Sequence, residues 1–157
     1  MTAQLVGPDG TAHAVESGVQ HPSGTYTLTY GAFDHEGTWH WNVAATDDLG
    51  RTSSADRTFR YDTTLRGLAV PRAARGTVAI GFTLSRPAQV GLQIETPSGV
   101  VLRALAPASL APGLRTLTWD GRLPLGSPAF AGTYVAHLTV VSDVGTSELS
   151  AAFAYRR

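Results

Sequence analysis

The chain repeats itself, and no other feature of the sequence restricts its fold as strongly. At an offset of 89 residues, Pro8-Asp9-Gly10 falls on Pro97-Ser98-Gly99 and Leu28-Thr29-Tyr30 falls on Leu117-Thr118-Trp119. At an offset of 95, Gly37-Thr38-Trp39 falls on Gly132-Thr133-Tyr134 and Asp48-Leu49-Gly50 on Asp143-Val144-Gly145. Phe59-Arg60-Tyr61 then meets Phe153-Ala154-Tyr155. The change of offset places six extra residues in the loop after Trp119. Matches in one order with so few gaps read as two tandem copies of one supersecondary unit.

The unit is built of strands. Residues 24–31 alternate, with Tyr26, Leu28 and Tyr30 on one face and threonines on the other. Residues 38–46 place Trp39, Trp41, Val43 and Ala45 on one face, residues 77–84 place Val78, Ile80 and Phe82, and residues 133–142 place Tyr134, Ala136, Leu138 and Val140. A period of two with one apolar face is the mark of a half-buried strand. Turn chemistry punctuates the runs: Pro-Asp-Gly, Asp-Asp-Leu-Gly and Pro-Ser-Gly all fall between them. No window has helical periodicity. The predicted class is all-β, two tandem β-sandwich repeats.

The copies are unequal. The second has two strands, near residues 65–70 and 77–84, ahead of its Pro-Ser-Gly hairpin. The first has nothing ahead of Ala3, so it lacks its first two strands. The expected division is an incomplete repeat over 1–61, a connector with a first strand of the next domain over 62–76, and a complete domain over 77–157. A sandwich short of two strands leaves an unpaired edge and an uncovered apolar face. The expectation is that residues 1–61 end a larger protein's domain, with the native product extending upstream of Met1.

Charge divides with the repeat. Residues 1–61 hold three arginines against five Asp and two Glu, a balance of −4. Residues 66–157 hold nine arginines against two Asp and two Glu, a balance of +5. Lysine is absent. The arginines are scattered, whereas nucleic-acid binding calls for a clustered basic face, so no nucleic-acid partner is expected. The asymmetry does permit head-to-tail self-association. Absence of cysteine excludes disulfides, thiolate metal sites and thiol catalysis. No apolar run is long enough to insert in a bilayer, and the opening residues do not read as a signal peptide.

Residues 77–156 resemble the FlgD-like immunoglobulin-like domain. The likeness runs through Phe82-Thr83-Leu84-Ser85-Arg86-Pro87-Ala88, then Ser98-Gly99-Val100 through Leu105, then Gly113 through Trp119-Asp120-Gly121, then Gly132-Thr133-Tyr134. The first copy departs at the third of these, with Tyr30-Gly31-Ala32 where the family has Trp-Asp-Gly; it is similar to a more general bacterial Ig-like repeat. The resemblance implies an immunoglobulin- or fibronectin-III-like sandwich at the C-terminal end of an extracellular or cell-envelope bacterial protein. It implies a non-catalytic spacer, stabiliser or adhesive module whose partner is an upstream domain of the same polypeptide.

Candidate chemistry is sparse. Trp119, Asp120, Gly121, Gly132 and Tyr134 read as a structural motif: Trp ends a strand in the core, Asp accepts turn amides and Gly takes positive φ. A glycosidase needs two facing carboxylates, and Asp120 has no visible partner. Trp39 and Trp41, two apart on one strand, are candidates for stacking on a cell-wall polysaccharide, against the alternative that they are core. Asp47 and Asp48 with Asp9 or Asp34 fit no calcium loop. His35, Glu36 and His40 do not make a convergent zinc set. No cofactor is expected.

Overall fold

The computed structural model describes residues 1–31 and 33–156. Ala32, the last residue of the tripeptide aligned with Trp-Asp-Gly, and Arg157 at the end of the expected second domain lie outside the described residues. The structure is all-β, and no helix occurs among the described residues. The chain divides into two compact units, Met1–Asp62 and Thr63–Arg157.

The second unit is a sandwich of two sheets. Strands β5 (Leu65–Ala69), β7 (Val78–Leu84) and β10 (Gly113–Trp119) form one, in the order β10-β7-β5. Strands β6 (Ala73–Arg75), β8 (Ala88–Glu95), β9 (Val101–Leu110), β11 (Gly132–Val141) and β12 (Thr146–Arg156) form the other, in the order β6-β12-β11-β8-β9. Alternation decides which side chains enter the core. Val78, Ile80, Phe82 and Leu84 of β7 face Val90, Leu92 and Ile94 of β8 and Ala136, Leu138 and Val140 of β11, all within one buried cluster. Residues 62–76, expected as a connector with one strand, thus supply both β5 and β6. β6 runs parallel to β12 and covers its outer edge.

The first unit is a single sheet. β1 (Thr2–Val6), β2 (Ala12–Glu16), β3 (Gly37–Thr46) and β4 (Thr52–Tyr61) lie in the order β2-β1-β3-β4. Under the offsets read from the sequence, this order coincides with β9-β8-β11-β12 of the second unit. The hairpin turns coincide too. Gly10 N–H donates to the Gly7 carbonyl and Gly7 N–H to Thr11, as Gly99 does to Thr96 and Thr96 to Val100.

Residues 24–31 do not form the strand that their alternation predicts. The counterpart of these residues is β10, and every residue of β10 pairs with β7. Among the described residues of the first unit no strand corresponds to β7, so the backbone there has no ladder to join. A strand is stabilised by its neighbours rather than by its own pattern. Residues 17–31 and 33–36 instead lie outside any strand. Met1 and Val19 exchange backbone hydrogen bonds near the start of this segment.

β9 runs through Pro107, a residue without a backbone N–H. Its pairing with β8 shifts register between Val90 and Leu92, opposite Ala106 and Pro107. β9 is an edge strand, and a bulge on an edge is where a residue without an N–H does no harm to a ladder.

Candidate functional site

In the second unit the Trp-Asp-Gly and Gly-Thr-Tyr motifs meet at one end of the sandwich. Trp119 closes β10 with 1% of its surface exposed. Its ring lies 5.5 Å from Tyr134, 5.1 Å from Tyr155 and 6.1 Å from Phe153, in the tilted and edge arrangements that aromatic quadrupoles favour. Each polar tip in this cluster has a backbone acceptor. Trp119 Nε1 donates to the Arg122 carbonyl at 2.9 Å, Tyr134 Oη to the Phe130 carbonyl at 2.8 Å, and Tyr155 Oη to the Gly76 carbonyl at 3.2 Å.

Asp120 is exposed, and its Oδ1 accepts the Arg122 N–H at 3.0 Å. That bond makes it a turn residue. Beside it lies a shallow cavity of about 300 Å³ lined by Thr77, Arg103, Leu105, Thr118, Trp119 and Asp120, with Asp120 the one carboxylate in its wall. General acid–base hydrolysis of a glycoside has no second carboxylate there.

Gly121 sits at φ +71°, and a Cβ on it would lie 2.1 Å from Tyr155 Oη and 2.7 Å from the Gly76 carbonyl oxygen. Both conformation and space require glycine. Gly132 differs: its φ lies outside the left-handed region and a Cβ would meet nothing nearer than Tyr134 Cε2 at 4.0 Å. It belongs to the motif by position but is not constrained like Gly121. Tyr155 and Gly76 complete the cluster; Gly76 was not legible as part of it, because a carbonyl acceptor leaves no mark on residue type.

The first unit builds a corresponding cluster with different residues. Trp39, in the Tyr134 position, is wholly buried and donates through Nε1 to the His35 carbonyl at 3.0 Å. His35 and Phe130 are related by the same offset of 95, so the same bond recurs. Phe33 packs edge-on to Trp39 at 5.2 Å and stacks on Tyr61 at 4.9 Å. Tyr30, in the Trp119 position, stands 6.1 Å from Trp39. These rings come from the irregular segment and lie over the sheet.

Trp39 and Trp41 were expected to share a face, and together to offer a stacking surface. With none of its surface exposed, Trp39 offers nothing to a sugar ring. Trp41 is half-buried and lines a groove of about 460 Å³ with Val43, Met1, Tyr26, Thr27 and Leu28. The positions equivalent to Trp41 and Val43 in the second unit, Ala136 and Leu138, are wholly buried beneath the opposing sheet. The groove therefore lies over the part of the first sheet whose counterpart the opposing sheet covers.

The acidic turns hold their own partners. Asp47 accepts the Arg51 and Leu49 amides and pairs with the Arg51 guanidinium at 2.7 Å. The Arg51 amide, then its guanidinium, hold the Asp47 carboxyl below its ordinary value. Thr11 does the same for Asp9, first through its hydroxyl and then its amide, and His35 for Asp34. His40 faces Thr58 at 3.3 Å. No group of three His, Asp or Glu side chains able to hold a metal ion occurs among the described residues.

Residues 67–143 match the FlgD Ig-like domain family. No curated protein matches the sequence. Among solved structures, dimeric latent PorU from Porphyromonas gingivalis is similar in fold, with a TM-score of 0.50 and 18% identity over 77% of this chain. This chain spans 12% of PorU's length. CopC from Methylosinus trichosporium OB3b also matches, with a TM-score of 0.42 and 16% identity over 58% of this chain and 90% of CopC. The family match takes in β6 through β11, with Trp119, Asp120, Gly121 and Tyr134 among its residues, and it is over these strands that the second unit is similar to a FlgD Ig-like domain.

Proposed function

We propose that the chain is a non-catalytic Ig-like structural module, the C-terminal part of a larger exported or cell-envelope bacterial protein. In this reading the two units are copies of one domain, and they space or dock a domain upstream in the same polypeptide. The observation that carries the reading is the fate of the motif. The buried Trp119, Tyr134 and Tyr155 tips and the Asp120 carboxylate each hold a bond within the domain, and Gly121 is required by packing. A motif whose chemistry is absorbed in this way serves stability. The FlgD Ig-like family is of a structural type, which supports the same reading.

An antibody raised against the second unit tests it in the native host. The expected band is far heavier than 157 residues allow and lies in the secreted or envelope fraction. A band of the size of this chain, confined to the cytoplasm, overturns the reading.

A second reading rests on the groove at Trp41. An indole and the Tyr26 ring beside an open apolar groove suit the face of a sugar, so the first unit is proposed as a cell-wall or polysaccharide contact. Retention on peptidoglycan that Trp41→Ala abolishes supports it. Retention unchanged by the substitution removes it.

A further inference from the structure

We propose that the first unit is a strand acceptor: it binds an extended, arginine-flanked segment with apolar residues at alternate positions, seated along residues 24–31 as β7 is seated along β10. The inference rests on reading the two units as copies of one domain.

Three observations carry it. First, residues 24–31 keep a strand's alternation but pair with no strand among the described residues. In the second unit the same positions pair with β7 from Gly113↔Leu84 through Leu117↔Ile80 to Trp119↔Val78. Carried back, Gly24, Leu28 and Tyr30 would face apolar residues on every second position of an antiparallel partner.

Second, a groove lies beside these residues. It runs between Tyr26, Thr27 and Leu28 on one side and Trp41 and Val43 on the other. At the equivalent places in the second unit, Ala136 and Leu138 have no exposed surface, because the β7 sheet lies over them. The occupant is thus defined by an interface that this chain already contains. Main-chain hydrogen bonds would give such strand addition its affinity, and the alternate side-chain seats its register.

Third, charge is complementary. The unit Met1–Asp62 holds three arginines against six Asp and two Glu. β7 is bracketed by Arg75 and Arg86. An acidic acceptor favours a strand with basic flanks and speeds its capture.

The probe is a fluorescein-labelled peptide of residues 75–87, titrated with the full chain and read by anisotropy. A control peptide has the same composition with its apolar residues grouped rather than alternating. The expected result is saturable binding that the control loses at least about tenfold. Leu28→Glu, which puts a charge in the apolar seat, is expected to weaken binding by at least about tenfold. Leu49→Glu, on an exposed turn, is expected to leave it unchanged.

Hydrogen exchange gives a readout that does not depend on a variant's folding: amides of residues 24–30 are expected to gain protection with the peptide. The proposal is overturned by absent or non-saturable binding, or by equal binding of the control peptide. It is also overturned if protection appears in β5 and β10 instead, which is exchange into the second unit. A dimer in sedimentation, with residues 24–30 already protected in the free chain, names a second copy as the occupant and overturns it too. Loss of peptide binding with the heavy band still present in the native host removes the acceptor and leaves the structural-module reading standing.

Discussion

Gly121→Ala separates packing from backbone conformation at the Trp119 cluster. The new Cβ would lie 2.1 Å from Tyr155 Oη and 2.7 Å from the Gly76 carbonyl. Neither neighbour moves freely. Tyr155 is buried in the aromatic cluster and paired along β12, and Gly76 is backbone. Three costs combine. Holding a non-glycine residue at φ +71° costs about 1–2 kcal/mol. Loss of the bond from Tyr155 to Gly76 costs about 1 kcal/mol. Displacing the Tyr155 ring from a packed core costs a further ~1–3 kcal/mol. The sum is about 3–6 kcal/mol.

Two controls apportion it. Gly126 has φ +81° with nothing within 4 Å of a Cβ, so Gly126→Ala should cost the conformational part alone, about 1–2 kcal/mol. Gly132→Ala meets neither obstacle and should change stability by under about 0.5 kcal/mol. Urea melts of the full chain, read by hydrogen exchange in β7 and β10–β12, give the stability of the second unit alone. At a slope of about 1 kcal/mol per molar urea, Gly121→Ala lowers the midpoint by roughly 3 M or more, or leaves the unit unfolded. Equal midpoints for Gly121→Ala and Gly126→Ala would show that the clash with Tyr155 and Gly76 has no weight, and would refute the packing account.

Further expectations follow from the same geometry. Tyr155→Phe keeps the ring and removes only the bond to Gly76, so it should destabilise the second unit by about 0.5–1.5 kcal/mol; a loss above 3 kcal/mol would contradict that bond's modest share. Leu138→Ala in the wholly buried core should cost about 2–5 kcal/mol, while Val43→Ala at the half-buried equivalent should cost under about 1.5; similar losses would mean that Val43 is as fully packed as Leu138. The Asp47 carboxyl should titrate below its ordinary 3.8, because the Arg51 amide and guanidinium and the Leu49 amide favour its charged form. A lowered folded-state value means that its contribution is full above 3.8 and is lost as pH falls from there through the lowered value. Carboxyl NMR at acid pH measures it, and a midpoint at or above 3.8 refutes the turn's role.

The sequence alone settled the class and the order of most strands, because alternation and turn chemistry are local. Val78, Ile80 and Phe82, or Tyr134 through Val140, announce an inward face wherever they are placed. The sequence offered a packing role for the Trp119 motif, because Trp119, Tyr134 and Tyr155 have aromatics at the aligned positions Tyr30, Trp39 and Tyr61. Tertiary structure decided what depends on partners. Residues 24–31 have a strand's sequence yet join no ladder among the described residues, because a ladder needs a neighbour and none of the described strands of the first unit stands where β7 stands in the second. Trp39 and Trp41 occupy one face of one strand, yet one is sealed and the other borders a groove. Burial is set by what lies above the strand, here Tyr30 and Phe33 over Trp39 and an open groove beside Trp41. Gly121 and Gly132 look alike as letters. A φ of +71° and the approach of Tyr155 and Gly76, 34 and 45 residues away in sequence, make the first indispensable, and neither constraint falls on the second.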